Sequence, residues 1–475
     1  MAPRRALAAT ATAVLVAGAV TVAGLDLTGH LRGGLVADPT PTPTSSVALD
    51  PPRTPAAAVL VPEPTSTAAA TPSLDVPALE AALRTPALGP SAGAAVVDVA
   101  TGDLLLDQDA GTARVPASVA KLATSAAVLH LAGPQHRLAT TVVSGTAPGQ
   151  VVLVGGGDAT LTTRRPKPAD VPQRASLAAL ADATVTALAG SAGPVSVAVD
   201  DSMFSGPAVS PAWRSSYVPS GIVSPVSALS VDAGRVSPGS VARSPDPALA
   251  AGADLARLLR KRGVDVAPGV ARAAAPAGAR ELARVESPTV AELVELALQT
   301  SDNDLAEALG RVAAVESDRP GSFDGAREAV RAALTDLGVP TDGMLLLDGS
   351  GLARGSHVAP LTLARLLQEA AGGSRPELAA LVDGLPVAGF SGTLELRYLT
   401  GDARSGAGVV RAKTGTLTGV SALAGLTSVA GRPTVLVAMT DQVPVGATLQ
   451  ARDDLDRFAA LLASGDGKNP TVAGG

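Results

Sequence analysis

The chain has 475 residues, 46% of them hydrophobic and 17% charged, enough length and apolar content to bury the cores of two or three domains. Its formal net charge of −6 comes without any Lys/Arg cluster interleaved with aromatics, which argues against a nucleic-acid partner and for a small or neutral one. The absence of cysteine excludes disulfides, thiolate zinc sites, cysteine nucleophiles and lipidation through an N-terminal Cys, and the four histidines (His30, His130, His136, His357) show no metal-ligand spacing.

Within these totals some residue types are scarce. Aromatics number seven, so the core must be built of Ala, Val and Leu. Lysine occurs only at 121, 167, 261, 413 and 468, and asparagine only at 303 and 469. Arginine fills nearly every basic surface role but keeps its proton, whereas a buried lysine can become a neutral base.

In chain order, the basic start Met1 to Arg5 and the uncharged run over 6–25 predict an export signal within 1–30. The run is long enough for an uncleaved membrane anchor, while Ala17-Gly-Ala19 offers a cleavage site, so both fates stay open. Either one places the rest of the chain outside the cytoplasm. Residues 31–74, rich in Pro, Thr, Ser and Ala, read as an extended stalk. Beyond it come a helix over 77–84 and a strand pair at 94–99 and 104–106 around a Thr-Gly-Asp turn. A helix over 122–131 follows Pro116-Ala-Ser118-Val-Ala-Lys121. The strand 151–154 ends in Gly155-Gly-Gly157-Asp158, and with no Gly-Lys-Ser/Thr after it this is a turn, not a phosphate loop. Asp200-Asp201 closes the strand 195–199 and need not be a catalytic pair. Helices are predicted over 255–262, 290–298 and 305–312, a hairpin from strands 421–427 and 434–439 about Gly431-Arg-Pro433, and a closing helix over 452–462 before a flexible tail at 467–475.

Three short motifs share one chemistry. In Ser118-Val-Ala-Lys121, a serine at the opening of a helix has a lysine one turn on and on the same face. A serine needs an adjacent base, which a desolvated lysine supplies, and a helix N-terminus offers N–H groups to a developing oxyanion. Read as structure alone, the pair is an N-cap with a surface lysine; yet Lys121 is the only lysine with a serine three residues earlier. In Ser301-Asp-Asn303, between two predicted helices, the residues are cappers by type, and equally a second hydroxyl and an amide able to relay a proton and hold a carbonyl. In Lys413-Thr-Gly-Thr416, a strand rich in small hydroxyl residues suits a peptide laid alongside it, with Lys413 facing a carboxylate.

The order Ser-x-x-Lys, Ser-x-Asn, Lys-Thr-Gly resembles the signature of the penicillin-recognising serine acyltransferases, which include the β-lactamases and penicillin-binding proteins. Ser118 and Ser301 lie 183 positions apart and Ser301 and Lys413 lie 112 apart, a first gap long enough for an inserted domain. With Gly155-Gly-Gly-Asp-Ala-Thr-Leu161, Asp200-Asp-Ser-Met-Phe204, Pro225-Val-Ser-Ala-Leu-Ser-Val231, Asp348-Gly-Ser-Gly-Leu352, Leu385-Pro-Val-Ala-Gly389 and Gly392-Thr-Leu394, the chain looks like the class C low-molecular-mass penicillin-binding proteins, the D-Ala-D-Ala carboxypeptidase/endopeptidases. That resemblance implies an α/β fold of α+β type, a β-lactamase/transpeptidase-like domain with an antiparallel sheet flanked by helices (75–135 and 285–466), and a smaller inserted domain (136–284). One departure is visible: after Arg235, where the family carries a further nested insert, this chain reaches a helix within some 20 residues.

The same resemblance implies that Ser118, Lys121, Ser301, Asn303 and Lys413 are catalytic. Thr414, Gly415 and Thr416 would bind substrate, the N–H groups of Ser118 and Thr416 would form the oxyanion hole, and no metal or cofactor is implied. Arg354 is a candidate for a substrate carboxylate, with a surface ion pair as the plain alternative; Trp213 fits either the cleft or the core of the insert. The implied partners are peptidoglycan stem peptides and, as inhibitors, β-lactams, with membrane contact only through the N-terminal segment. The rival functions are a β-lactamase on the same scaffold and a non-catalytic wall-binding protein.

Overall fold

The computed structural model of the protein describes residues 74–189, 193–237 and 239–465, so the predicted signal or anchor, the stalk up to residue 73 and the C-terminal tail lie outside it. In chain order the strands are β1 (Gly93–Asp98), β2 (Leu104–Gln108), β3 (Arg137–Ser144), β4 (Gln150–Val154), β5 (Val195–Asp200), β6 (Val266–Arg272), β7 (Glu281–Thr289), β8 (Arg411–Leu417), β9 (Val420–Val429) and β10 (Arg432–Thr440). The helices are α1 (Val76–Ala82), α2 (Ala120–Leu131), α3 (Leu177–Ala187), α4 (Pro247–Lys261), α5 (Val290–Thr300), α6 (Asn303–Val315), α7 (Phe323–Asp336), α8 (Pro360–Ala371), α9 (Ala379–Asp383) and α10 (Thr448–Ala463). None of them is long and apolar enough to cross a membrane.

The first sheet is antiparallel, in the order β2-β1-β10-β9-β8. Its inner strands are buried on both faces, and the two-residue period sorts their side chains between two cores. Ala95, Val97, Ala422, Ala424, Val435 and Val437 join the larger core, with Leu122 of α2, Leu293 of α5 and Leu309 of α6. Ala94, Val96, Leu423, Leu436 and Ala438 face the other way, onto Leu79 of α1 and Phe458 of α10. Small side chains are what let helices close both faces. β9 and β10 are joined by Ala430-Gly431, with φ of 48° and 78°. A tight hairpin favours two residues of positive φ because that turn matches the strand twist. Pro433, predicted to lie in the turn, therefore stands inside β10 opposite Ser428.

The second sheet is mixed, in the order β6-β5-β4-β3-β7. β4–β5 and β5–β6 are parallel pairs, which need long crossovers, and α3 and α4 supply them. Leu153, Val197, Leu180 and Leu255 join in a third core between sheet and helices. β7 runs to Thr289, which caps α5 in a box with Glu292. The second sheet thereby leads straight into the helix that ends at Ser301.

Candidate active site

Ser118 lies on a short 3₁₀ turn, Ala117–Val119, that runs into α2, so it precedes the α-helix where the sequence reading has it open the helix. Ala117 has φ of 49°, a conformation that costs a residue with a Cβ and that only surrounding contacts maintain. Two glycines provide those contacts. A Cβ on Gly351 would fall 1.9 Å from the Ala117 carbonyl oxygen, and one on Gly415 would fall 2.7 Å from that of Pro116. Only glycine lets the 348–351 loop and β8 approach the turn so closely.

The second motif folds about Ser301, the left-handed C-cap of α5 with φ of 55°. Asp302 is a capper, as its type suggests: its carboxylate accepts from the Leu305 N–H at 2.9 Å and starts α6. Asn303 is the first residue of α6. β8 carries the third motif in register with β9, Lys413 opposite Ala424 and therefore on the sheet face of the larger core.

The three motifs converge. Lys121 Nζ donates to Ser118 Oγ at 3.2 Å, to Asn303 Oδ1 at 2.8 Å and to the Ser350 carbonyl at 2.8 Å. Lys413 Nζ donates to Ser301 Oγ at 3.0 Å and to the Thr414 carbonyl at 2.8 Å. Asn303 Nδ2 donates to the Ile222 carbonyl at 2.9 Å, so a loop that follows β5 forms one wall. Two buried lysines thus each hold a serine hydroxyl.

Their proton affinities differ for a physical reason. Burial drives the Lys121 ammonium down to about 8, against the pull of Glu307, Asp348, Asp302 and Asp304, which favour the charged form. Lys413 is pushed well below its ordinary value by burial and then by the charges of Lys121 and Arg397. The positive charge expected of Lys413 is accordingly disfavoured in the site as it stands.

β8 is the edge strand. Its Ala412 N–H bonds outward to the Pro386 carbonyl. The alternation of an antiparallel ladder then turns the backbone groups of Thr414 and Thr416 to the same free edge. Thr416 is exposed, and the Thr414 hydroxyl is 2.9 Å from that of Thr393.

Arg354 forms no surface ion pair among the described residues; it donates to the carbonyl of Thr418, just past β8. Trp213 lies neither in the third core nor open to solvent. It packs in the larger core, edge-on to Phe323 with ring centroids 5.4 Å apart, and its Nε1 donates to Asp348 at 2.7 Å. Asp201 pairs with Arg272, and Asp200 accepts from the Ser202 N–H, so neither forms a catalytic dyad. Sequence reasoning missed Glu307, Ser350 and Ile222. Glu307 carried a signal, an acid in an apolar helical stretch four residues after Asn303, and Ser350 stood inside the family-like segment Asp348-Gly-Ser-Gly-Leu352 without being singled out.

Residues 76–245 and 239–462 match the model of a family described as D-Ala-D-Ala carboxypeptidase 3 (S13). The chain is 38% identical to a carboxypeptidase of Mycobacterium tuberculosis over 401 residues, covering 83% of this chain and 85% of that protein. It is 39% identical to carboxypeptidase DacB of Mycolicibacterium smegmatis over 393 residues, covering 82% of this chain and 83% of that one. Its fold is similar to that of penicillin binding protein 4 of Haemophilus influenzae, with a TM-score of 0.68 and 23% identity over 84% of this chain and 100% of the other. The same protein complexed with a β-lactam gives a TM-score of 0.63 at 23% identity, covering 82% of this chain and 99% of that chain.

Proposed function

Since the chain belongs to the D-Ala-D-Ala carboxypeptidase 3 (S13) family, we propose that Ser118 is the nucleophile with which this serine-type carboxypeptidase attacks peptidoglycan stem peptides. The observation that carries the assignment is Lys121 Nζ, buried and held between Ser118 Oγ and Asn303 Oδ1.

In this reading neutral Lys121 takes the Ser118 proton as Oγ attacks the carbonyl between the two terminal D-alanines. The N–H groups of Ser118 and Thr416 receive the oxyanion, and the free edge of β8 lets the peptide lie alongside as an added strand. Ser301, bonded to Lys413, gives its proton to the departing amine and takes up in exchange the one Lys121 received from Ser118, which leaves Lys121 neutral again. Asn303 holds the acyl-side amide. The terminal carboxylate is met by Thr414, Thr416, Lys413 and Arg354, and its negative charge favours the charged form of Lys413 against burial and the neighbouring cations. Water, deprotonated by Lys121, then attacks the acyl-enzyme, releases the shortened peptide and returns the proton to Ser118.

The similarity to a penicillin-binding protein solved with a β-lactam supports β-lactams as acylating inhibitors here. The substrate class supports a site of action outside the cytoplasm, reached by way of the predicted signal or anchor. The family match is made in two segments that meet at 239–245, which supports loss of a nested insert there from an inserted domain at 136–284. Cleavage of interpeptide crosslinks by the same acylation would show as monomers when crosslinked muropeptides are digested. For the central assignment, Ser118→Ala should abolish D-alanine release from a synthetic stem peptide; undiminished release would overturn it.

A further inference from the structure

Two carboxylates adjoin Lys121 that this scheme leaves without a role: Glu307, 2% exposed, and Asp348, 5% exposed. A carboxylate so placed needs its oxygens bonded. Those of Glu307 accept from two consecutive backbone amides, Gly349 at 3.0 Å and Ser350 at 2.8 Å. Asp348 accepts from Trp213 Nε1 and from the amides of Gly351 and Ala353. The peptide so gripped is the one whose next carbonyl, that of Ser350, accepts from Lys121 Nζ at 2.8 Å. Thr124, one turn after Lys121, holds the same loop by donating to the Gly349 carbonyl at 2.8 Å. Glu307 stands one turn after Asn303 on α6, so a single helix face carries both residues.

We propose that Glu307 is a positioning residue for acyl transfer: its carboxylate grips the Gly349 and Ser350 amides and so aims the Ser350 carbonyl at Lys121 Nζ. The proposal rests on Lys121 being the base that activates Ser118. The contrast between the two lysines supports it. Lys121 faces Glu307, Asp302 and Asp304 from α6 and its cap and Asp348 from the loop, with Lys413 as its cationic neighbour on β8. Lys413, pushed well down first by burial, has only the cations Lys121 and Arg397 acting on it besides, and no carboxylate to oppose them. The loop and its carboxylates thus keep Lys121 basic enough to capture the serine proton. Burial and then Asp348 raise the Glu307 carboxyl to about 7, so Glu307 is about half ionised at neutral pH and mostly ionised from pH 8 upward.

The test is the pH dependence of the penicillin acylation rate in the full-length wild type, Glu307→Gln and Glu307→Asp, each checked for folding by thermal melting. In Glu307→Gln the acid limb should move down by roughly one to two pH units, the size of a nearby-charge effect, with a lower plateau. Glu307→Asp keeps the charge but cannot span both amides, so it should keep the wild-type midpoint at a reduced plateau. An acid limb unmoved in Glu307→Gln overturns the proposal. If that variant does not fold, Glu307→Asp decides: a wild-type plateau overturns it, a reduced plateau with the wild-type midpoint supports it. A wild type that penicillin does not acylate would instead sink the assignment of function.

Discussion

In the proposed scheme Lys121 holds the chemistry together, because its Nζ touches both Ser118 and Asn303 and its proton affinity is lowered chiefly by burial. A base depressed to about 8 is roughly one-tenth neutral at pH 7 and mostly neutral by pH 9. The rate of acylation should therefore rise about tenfold per unit below pH 7, bend around pH 8 and be nearly level by pH 9. A stopped-flow profile that kept rising towards pH 10 would mean that Lys121 is an ordinary solvated lysine. In sequence, Ser118 and Lys121 alone read as a capped helix, and became candidates through lysine scarcity, the company of Asn303 and Lys413 and the long insert between the motifs. Glu307 stood out only as an acid in an apolar helical stretch, and its task stayed hidden because the two backbone amides bonded to it come from a loop distant in sequence.

At the scale of elements, the site depends on how closely β8 and the 348–351 loop approach the Ser118 turn. Gly415→Ala would place a Cβ 2.7 Å from the Pro116 carbonyl oxygen and 3.3 Å from the Ala117 Cβ, so β8 must withdraw. The expected result is a loss of about 10- to 100-fold in D-alanine release, from misplaced groups, with the melting temperature lowered by only a few degrees. Wild-type activity in Gly415→Ala would show that the approach is not needed. The antiparallel hairpin β9–β10 and the pair β1–β2 were legible from apolar runs that flank turn residues, and helix α10 from its helical period. The left-handed turns at Ala117 and Ser301 were not, since nothing in an Ala or a Ser announces positive φ; the surrounding packing imposes it.

Across the whole molecule, three of the seven aromatic residues gather around one buried cation. Arg311 of α6 lies 4.5 Å from the Phe323 ring centroid and 5.6 Å from that of Phe204, and it donates to the carbonyls of Ser205, Pro207 and Gly321. Trp213 then links Phe323 to Asp348 and so to the loop beside Lys121. Composition correctly gave a core of Ala, Val and Leu, but a lone tryptophan carries no address, and its place emerged only from the fold. Arg311→Ala takes a shared donor away from the carbonyls of Ser205, Pro207 and Gly321 and leaves a void beside two rings, which should cost about 3 kcal/mol and lower the melting temperature measurably. An unchanged melting curve would show that Arg311 does not tie these segments together.

Which atom is acylated decides whether Ser118 is the nucleophile. Trapping the enzyme with penicillin, digesting it and locating the adduct by mass spectrometry should place the added mass on the peptide containing Ser118, with no adduct in Ser118→Ala. An adduct on any other residue, or full labelling of Ser118→Ala, would contradict it.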